Sequence, residues 1–362
     1  MFESKHYVPI LKWKAAEQLA LKNLSEESKI HITPVIQLVM PRPKKKLKEN
    51  GETKSPTELL EESITTFRTK LTEIALDIQA TWGSSPAFID VSLIDSSLRQ
   101  ATLETILESA HDIDSFLIPM VSPHYAPEML NSACQIAKKF EFGIALRLSP
   151  YDFQDKSTIN KNLNEFLRIN GLKEGVVDLF IDFSITAENS LHLNDITRKI
   201  PNLSHWRTLT FASGSFPVDL TKCKIDEENL IPRSDWKNWL SQLETQEIVR
   251  MPSFSDYTIQ HPVYKEQLQF FSPSASIKYT LNNEWLIMRG QKGKNFQYLL
   301  NAQVLVTDPR FFGERFSFGD NYIVEKSKEN PLKGKPGNAT NWLVAGINHH
   351  LECTAAQIAS LA

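Results

Sequence analysis

The sequence predicts an α/β fold: a (β/α)8 TIM-like barrel over residues 1–260, with a C-terminal α+β extension over 261–362. Three observations point there. Short apolar runs alternate with longer amphipathic stretches eight times in about 260 residues, the size of a closed barrel. The runs are apolar at nearly every position, as strands buried on both faces of a parallel sheet are. No Gly-rich phosphate turn accompanies them, which favours the barrel over its main competitor, an open doubly wound sheet.

The strand-like runs fall at 7–11 (YVPIL), 33–39 (TPVIQLV), 88–92 (FIDVS), 116–121 (FLIPMV), 143–148 (GIALRL), 179–184 (LFIDFS), 207–211 (RTLTF) and 253–258 (SFSDYT). Helices are expected between them at 13–23, 56–81, 98–110, 127–139, 159–169, 191–200 and 234–245. In the second, Leu60, Ile64, Phe67, Leu71, Ile74 and Ile78 recur at three- and four-residue spacing and form one apolar stripe. Residues 41–55 (PRPKKKLKENGETKS) are polar and basic. They form an insertion between the second strand and its helix, on the C-terminal face where βα loops lie.

After residue 260 the alternation stops. Residues 277–281 and 285–288 flank Asn282-Asn283 and read as a hairpin, because asparagine tolerates the positive φ of a tight turn. A helix is expected at 295–307 and one more strand at 342–347 (WLVAGI), leading into Asn348-His349-His350. Phe318-Gly319-Asp320 and Gly346 read as turns. Trp285, Phe311, Phe312, Phe316, Phe318 and Trp342 need a core, so the extension is expected to pack on the barrel.

Composition narrows the function. Forty Lys and Arg against 43 Asp and Glu give a net charge of −3, which excludes a globally basic nucleic-acid wrapper but not a local patch. Hydrophobic residues at 41% and charged residues at 23% exclude a disordered chain. Cys134, Cys223 and Cys353 are few and far apart, which fits a reducing compartment and no disulfide framework. The first eleven residues lack a signal-peptide core and no apolar run reaches about 18 residues, so a cytoplasmic protein without membrane segments is expected. There is no phosphate-loop Lys motif, no dinucleotide Gly fingerprint, no Gly-x-Ser-x-Gly and no Cys-x-x-Cys.

Barrels gather polar groups at the C-terminal ends of their strands. That rule selects Lys12, Lys14, Gln37, Asp90, His124, Arg147, Asp182, Ser213, Ser215 and Asp256. An Asp inside FIDVS or FIDFS is costly to bury unpaired, and Arg147 in ALRLS offers the fork that suits a carboxylate. Asp90, Arg147 and Asp182 are therefore expected near one another. They form either a structural network or a mouth for an anionic, phosphate-bearing ligand, with an Asp as acid, base or metal ligand. Lys14 and Glu17 have the spacing of a helix-surface ion pair. The Ser213-Gly214-Ser215 turn follows the seventh strand, where barrels often hold phosphate. On a strand His349 and His350 point to opposite faces, so a packing pair is expected rather than a metal site. Arg42, Lys44, Lys45, Lys46 and Lys48 form the strongest basic cluster, to which Lys326, Lys328, Lys333 and Lys335 would add if the fold brings them close.

Several pieces together resemble the phage T4-type beta protein family, found in phages and bacterial genomes. They are Tyr7-Val8-Pro9-Ile10-Leu11-Lys12-Trp13-Lys14 with Glu17, Phe88-Ile89-Asp90, Ile118-Pro119, Leu146-Arg147-Leu148 and Ile181-Asp182. Ser213-Gly214-Ser215-Phe216-Pro217, Ser255-Asp256-Tyr257, Phe318-Gly319-Asp320 and Gly346-Ile347-Asn348-His349-His350 follow in order. The resemblance implies a β/α-barrel and a mobile-element or phage-conflict setting, and it implies no reaction.

Two functions are therefore expected to compete. One is a non-catalytic recognition subunit for a protein or nucleic-acid partner, with no cofactor. The other is a barrel enzyme of phosphodiester or phosphate-ester hydrolysis using Asp90, Arg147 and Asp182, with a divalent cation as its cofactor. A relic barrel serving as an assembly subunit is a third.

Overall fold

The computed structural model describes residues 2–41, 52–185, 193–243, 248–264 and 274–361. Arg42, Lys44, Lys45, Lys46 and Lys48 lie outside the described residues.

β1 (Ile10–Lys12) leads into α1 (Ala15–Lys22) and the short α2 (Glu26–Lys29). β2 (Val35–Gln37) precedes α3 (Pro56–Lys70) and α4 (Ile74–Trp82), which a 3-10 turn at Leu71–Glu73 separates. Ser55 starts α3 with a capping box: its Oγ accepts from the Glu58 amide, and Glu58 accepts from the Ser55 amide. The apolar stripe of this pair of helices is buried at Phe67, Ile74 and Ile78, whereas Leu60 is exposed.

Four further units follow: β3 (Ala87–Asp90) with α5 (Arg99–Asp112), β4 (Leu117–Val121) with α6 (Pro127–Lys139), β5 (Ile144–Leu148) with α7 (Lys156–Asn170), and β6 (Val177–Ile185) with α8 (Leu193–Thr197). β7 (Thr208–Gly214) is followed by β8 (Glu228–Pro232), α9 (Ser234–Leu243) and β9 (Ser253–Ser255). Of these nine strands all but β8 form one parallel sheet in chain order. It closes where the Val8 and Ile10 amides donate to the carbonyls of Phe254 and Asp256, at 2.9 and 2.8 Å.

A parallel sheet wrapped on itself has two apolar faces, and alternate residues serve each. Inward positions such as Ile10, Val35, Phe88, Met120, Ala145, Phe180 and Ala212 form a cluster of their own. Outward ones such as Leu11, Ile36, Ile89, Leu146 and Ile181 join the larger core under the helices.

In the extension, β10 (Ser274–Thr280) and β11 (Glu284–Lys292) form the expected hairpin, with Thr280 opposite Trp285. The sequence gives no hint that β8, from the β7–α9 connection, completes this sheet on the far side of β11. Its alternating exposed pattern is that of an edge strand. α10 (Gln297–Leu305), α11 (Phe318–Ser327) and α12 (Ala339–Ala359) complete the chain.

Three expectations fail here. Residues 342–347 lie inside α12, not in a strand, and Phe318-Gly319-Asp320 opens α11, not a turn. α12 is buried along most of its length, with barrel residues on one side and the extension sheet on the other. It therefore shows no polar face for a helical period to reveal. Gly346 is no turn either. A Cβ there would lie 2.8 Å from Ile259 Cδ1 and 2.9 Å from the Lys278 carbonyl, so glycine lets α12 approach β10 closely.

Candidate functional site: the polar mouth of the barrel

A strand buried on both faces can carry polar side chains inward only near its ends, where an opening or a partner relieves their desolvation. At the C-terminal end the inward positions are Lys12, Gln37, Asp90, Arg147, Asp182 and Tyr257. Lys12, Gln37 and Asp90 stand in direct register across β1, β2 and β3.

Arg147 is the hub. Its Nε donates to Asp182 Oδ2 at 2.9 Å, one terminal nitrogen donates to that same oxygen and the other to Asp90 Oδ2. Tyr257 completes the set, donating to Asp182 Oδ2 at 2.6 Å and accepting from Arg147 at 3.0 Å. Asp90 also accepts from Gln37 Nε2 at 2.7 Å and from the Ser92 amide and hydroxyl at 2.8 and 2.9 Å. The Ser184 amide donates to Asp182 Oδ1 at 2.7 Å. Burial opposes the Arg147 charge, but Asp182, Tyr257 and Asp90 outweigh it and its pKa is raised. Burial and Asp182 likewise raise the Tyr257 phenol.

Above this network lies a cavity of about 490 Å3. Serines from four successive strand ends (Ser92, Ser122, Ser149, Ser184) line it, with Tyr125 and Tyr264 on its walls.

The other sequence candidates divide. Lys12 is buried behind Tyr257 and Tyr264, its Nζ 3.4 Å from the His261 carbonyl, and burial pushes its amine down to about 8. Lys14 donates to Tyr264 Oη at 2.9 Å. Glu17 is not a surface residue: it is buried, accepts from Gln260 at 2.6 Å, and burial raises its pKa. The turn at Ser213 and Ser215 is tied to the start of α9. The Ser215 amide and hydroxyl both donate to Asp235, at 3.2 and 2.8 Å. His124 pairs with Asp152 at 2.9 Å at the edge of a separate groove between α6 and α7.

Asp256 is on the wrong face of its strand for the mouth. It points outward, where it accepts from Tyr7 at 2.6 Å and contacts His350 Nε2 at 2.9 Å. His349 instead contacts Asp320. The two histidines project differently because they stand on a helix. Glu352, on the same helix, accepts from the Ser25 amide and hydroxyl at 2.6 and 2.9 Å. Lys326 and Lys328 lie in surface pairs with Glu329 and Glu314. Among the described residues no group of three or more His, Cys, Asp or Glu is arranged to hold a metal ion.

Tyr257 is the site residue that sequence reasoning missed. Alternation puts Tyr257 on the same face as Ser253 and Ser255 and Asp256 on the other, but only the structure says which of the two is inward. A second polar cluster closes the opposite end of the barrel, where Arg207 Nε and Thr208 Oγ1 donate to Asp178 at 2.9 and 2.8 Å.

A model of the family described as Beta protein matches residues 7–355. The chain belongs to the Beta protein family. The matched span takes in every residue of the mouth and the α12 histidines. No curated protein matches. Among solved structures, a mutant tryptophan synthase α-subunit from Pyrococcus furiosus is 12% identical with a TM-score of 0.39, covering 71% of this chain and 88% of that one. The tryptophan synthase α2β2 complex from the same organism gives 12% and 0.40, covering 72% and 90%. The cellobiohydrolase Cel6A of Humicola insolens gives 10% and 0.30, covering 51% and 64%. At these scores the likeness adds nothing to the barrel that the strand order already defines. No helix among the described residues is long and apolar enough to cross a membrane.

Proposed function

We propose that this Beta protein family member acts in the cytoplasm, in phage–host conflict, as a non-catalytic recognition subunit whose barrel mouth receives part of a macromolecular partner, a protein or a nucleic acid. The setting is what the family resemblance implies. The recognition role rests on Arg147. A general acid or base must be free to trade a proton with a substrate. Here both carboxylates are engaged by internal donors, and a single guanidinium joins them. Such a network supports a rigid, preformed surface better than a reacting one.

A second reading, phosphodiester or phosphate-ester hydrolysis with a divalent cation, draws on one observation. Asp90 and Asp182 share a cavity at the barrel end where enzymes of this fold place their chemistry. Fold-level analogy is all that extends it further.

Bacteria producing the chain, challenged with phages, test the first reading alongside the purified protein. Expected are an altered plaque count that Asp182→Asn reverses, and no hydrolysis of bis(p-nitrophenyl) phosphate with or without Mg2+ or Mn2+. Turnover that disappears in Asp90→Asn would establish the enzyme instead.

A further inference from the structure

We propose that the mouth is built for a cationic nitrogen group, an ammonium or guanidinium, and not for phosphate. The inference rests on the recognition reading above and names the chemistry of what enters.

The hydrogen bonds left over at the mouth decide the sign. Arg147 is the one cation lining the cavity among the described residues, and its donors point at Asp90, Asp182 and Tyr257. Four of its five N–H groups are taken by these partners, and the fifth is on the nitrogen that binds Asp90, so an incoming phosphate would meet that carboxylate beside it. Within the lining two carboxylates stand against that one positive charge, which favours a cation there, while Lys12 and Lys14 stand behind it beside Tyr264.

Among the buried atoms of the lining an acceptor is unused. Gln37 lines the cavity and is 2% exposed, and its Oε1 has no partner among the described residues. The amide orientation is not arbitrary: Asp90 can only accept, so the Gln37 nitrogen faces Asp90 and the oxygen faces away. A buried acceptor left unmatched is costly, and an N–H donor from a ligand would satisfy it.

The walls suit the same group. Tyr125, Tyr257 and Tyr264 present aromatic rings to the cavity, and aromatic faces attract ammonium and guanidinium ions. The protein's own cations follow this rule: Arg99 Cζ lies 5.5 Å from the Tyr125 ring centre, Lys14 Nζ 4.3 Å from that of Tyr264, and Lys12 Nζ 5.9 Å from that of Tyr257 and 5.8 Å from that of Tyr264. Lys12 lies behind those rings rather than in the lining, close enough to Glu17 for its charge to be partly balanced. The cavity, about 490 Å3, holds the end of one Arg or Lys side chain with water to spare. A free amine and a side chain of a protein partner offer the same head group.

The test is a titration of the 15N-labelled full chain, followed at the Arg147 Nε–H resonance, which Arg147→Lys identifies by its loss. Agmatine probes the free amine, an acetylated, amidated Gly-Arg-Gly tripeptide probes the peptide-borne side chain, and inorganic phosphate probes the anion. Expected is a saturable shift with agmatine, none with phosphate, and roughly tenfold weaker agmatine binding in Gln37→Leu. A tripeptide that binds more tightly than agmatine assigns the group to a protein partner; the reverse order assigns it to a free amine. Saturation by phosphate, or no saturation by either cation, overturns the inference. In that case a plaque phenotype that still depends on Asp182 leaves recognition standing and only the ligand class wrong.

Discussion

His349 and Asp320 form an ion pair with no exposure to solvent, 2.7 Å from Nδ1 to Oδ2. The other ring nitrogen lies 2.8 Å from the carbonyl oxygen of Thr280. Each ring nitrogen thus faces an oxygen acceptor, and the ring is held from both sides. It stacks on Tyr279 at 3.9 Å between ring centres, and Tyr279 itself donates to Asp320 at 2.8 Å. His350, one residue on, meets the Thr280 hydroxyl, which can donate or accept. Burial lowers its pKa.

Removing one half of such a pair leaves the other charge buried alone. His349→Leu is expected to cost about 3–5 kcal/mol in urea unfolding, and adding Asp320→Asn is expected to recover part of it. A cost below about 1 kcal/mol would mean the pair contributes little to the fold.

The same reasoning applies at the mouth, with different consequences. Arg147→Met strands two carboxylates, and a loss of about 3 kcal/mol is expected. Arg147→Lys keeps the charge but cannot span both acids, and is expected to fall between. Asp182→Asn preserves shape and leaves Arg147 its bond to Asp90, so its unfolding midpoint in urea should stay closest to that of the parent. If Arg147→Met unfolds like the parent, the network contributes nothing to the fold.

The barrel was legible because its strands lie between two apolar layers, and continuous runs such as FLIPMV have few other readings. Asp90, Arg147 and Asp182 stood out for the same reason, as charges inside those runs. Asp256 misled because SFSDYT is polar at both parities, so hydropathy cannot say which face is inward. The α12 segment misled because WLVAGI is short and apolar, and its helical neighbours NHHLE look polar although all are buried. Their partners (Asp256, Asp320, Thr280, Ser25) come from distant parts of the chain, and no local pattern announces such long-range pairing.

Asp235 gives the fold a pH dependence of definite sign. Burial, and Asp256 beside it, push its carboxyl up to about 6, from an ordinary value of 3.8. Between these values the folded chain keeps a proton that the unfolded chain has released. Its contribution to unfolding free energy therefore falls as pH rises through that window and levels off above it. Asp256 works the other way. Burial opposes its charge, but His350 and Tyr7 hold its pKa below the ordinary value, so its contribution is present above that value and lost on acidification. Asp235→Asn isolates the first effect. Relative to the parent, the variant is expected to gain about 2–3 kcal/mol between pH 4 and pH 7 in urea unfolding. A difference that does not change with pH would mean Asp235 titrates normally.

Gly319 sets how closely α11 and α12 can pack. A Cβ there would lie 2.1 Å from the Ala345 carbonyl oxygen, which is backbone and cannot turn aside. The Gly319 amide also donates to Asn348 at 2.9 Å, and Asp320 follows directly, so any shift of α11 pulls on the His349 pair as well. Gly319→Ala is thus expected to cost about 3 kcal/mol, at the upper end for overpacking. Gly293 is the control. Its φ of +75° strains an alanine, but a Cβ there meets nothing within 4 Å. Gly293→Ala should cost about 1 kcal/mol by the same urea measurement. The order of the two variants is the decisive result, because backbone strain alone predicts Gly293 to be the more sensitive position and helix contact predicts Gly319.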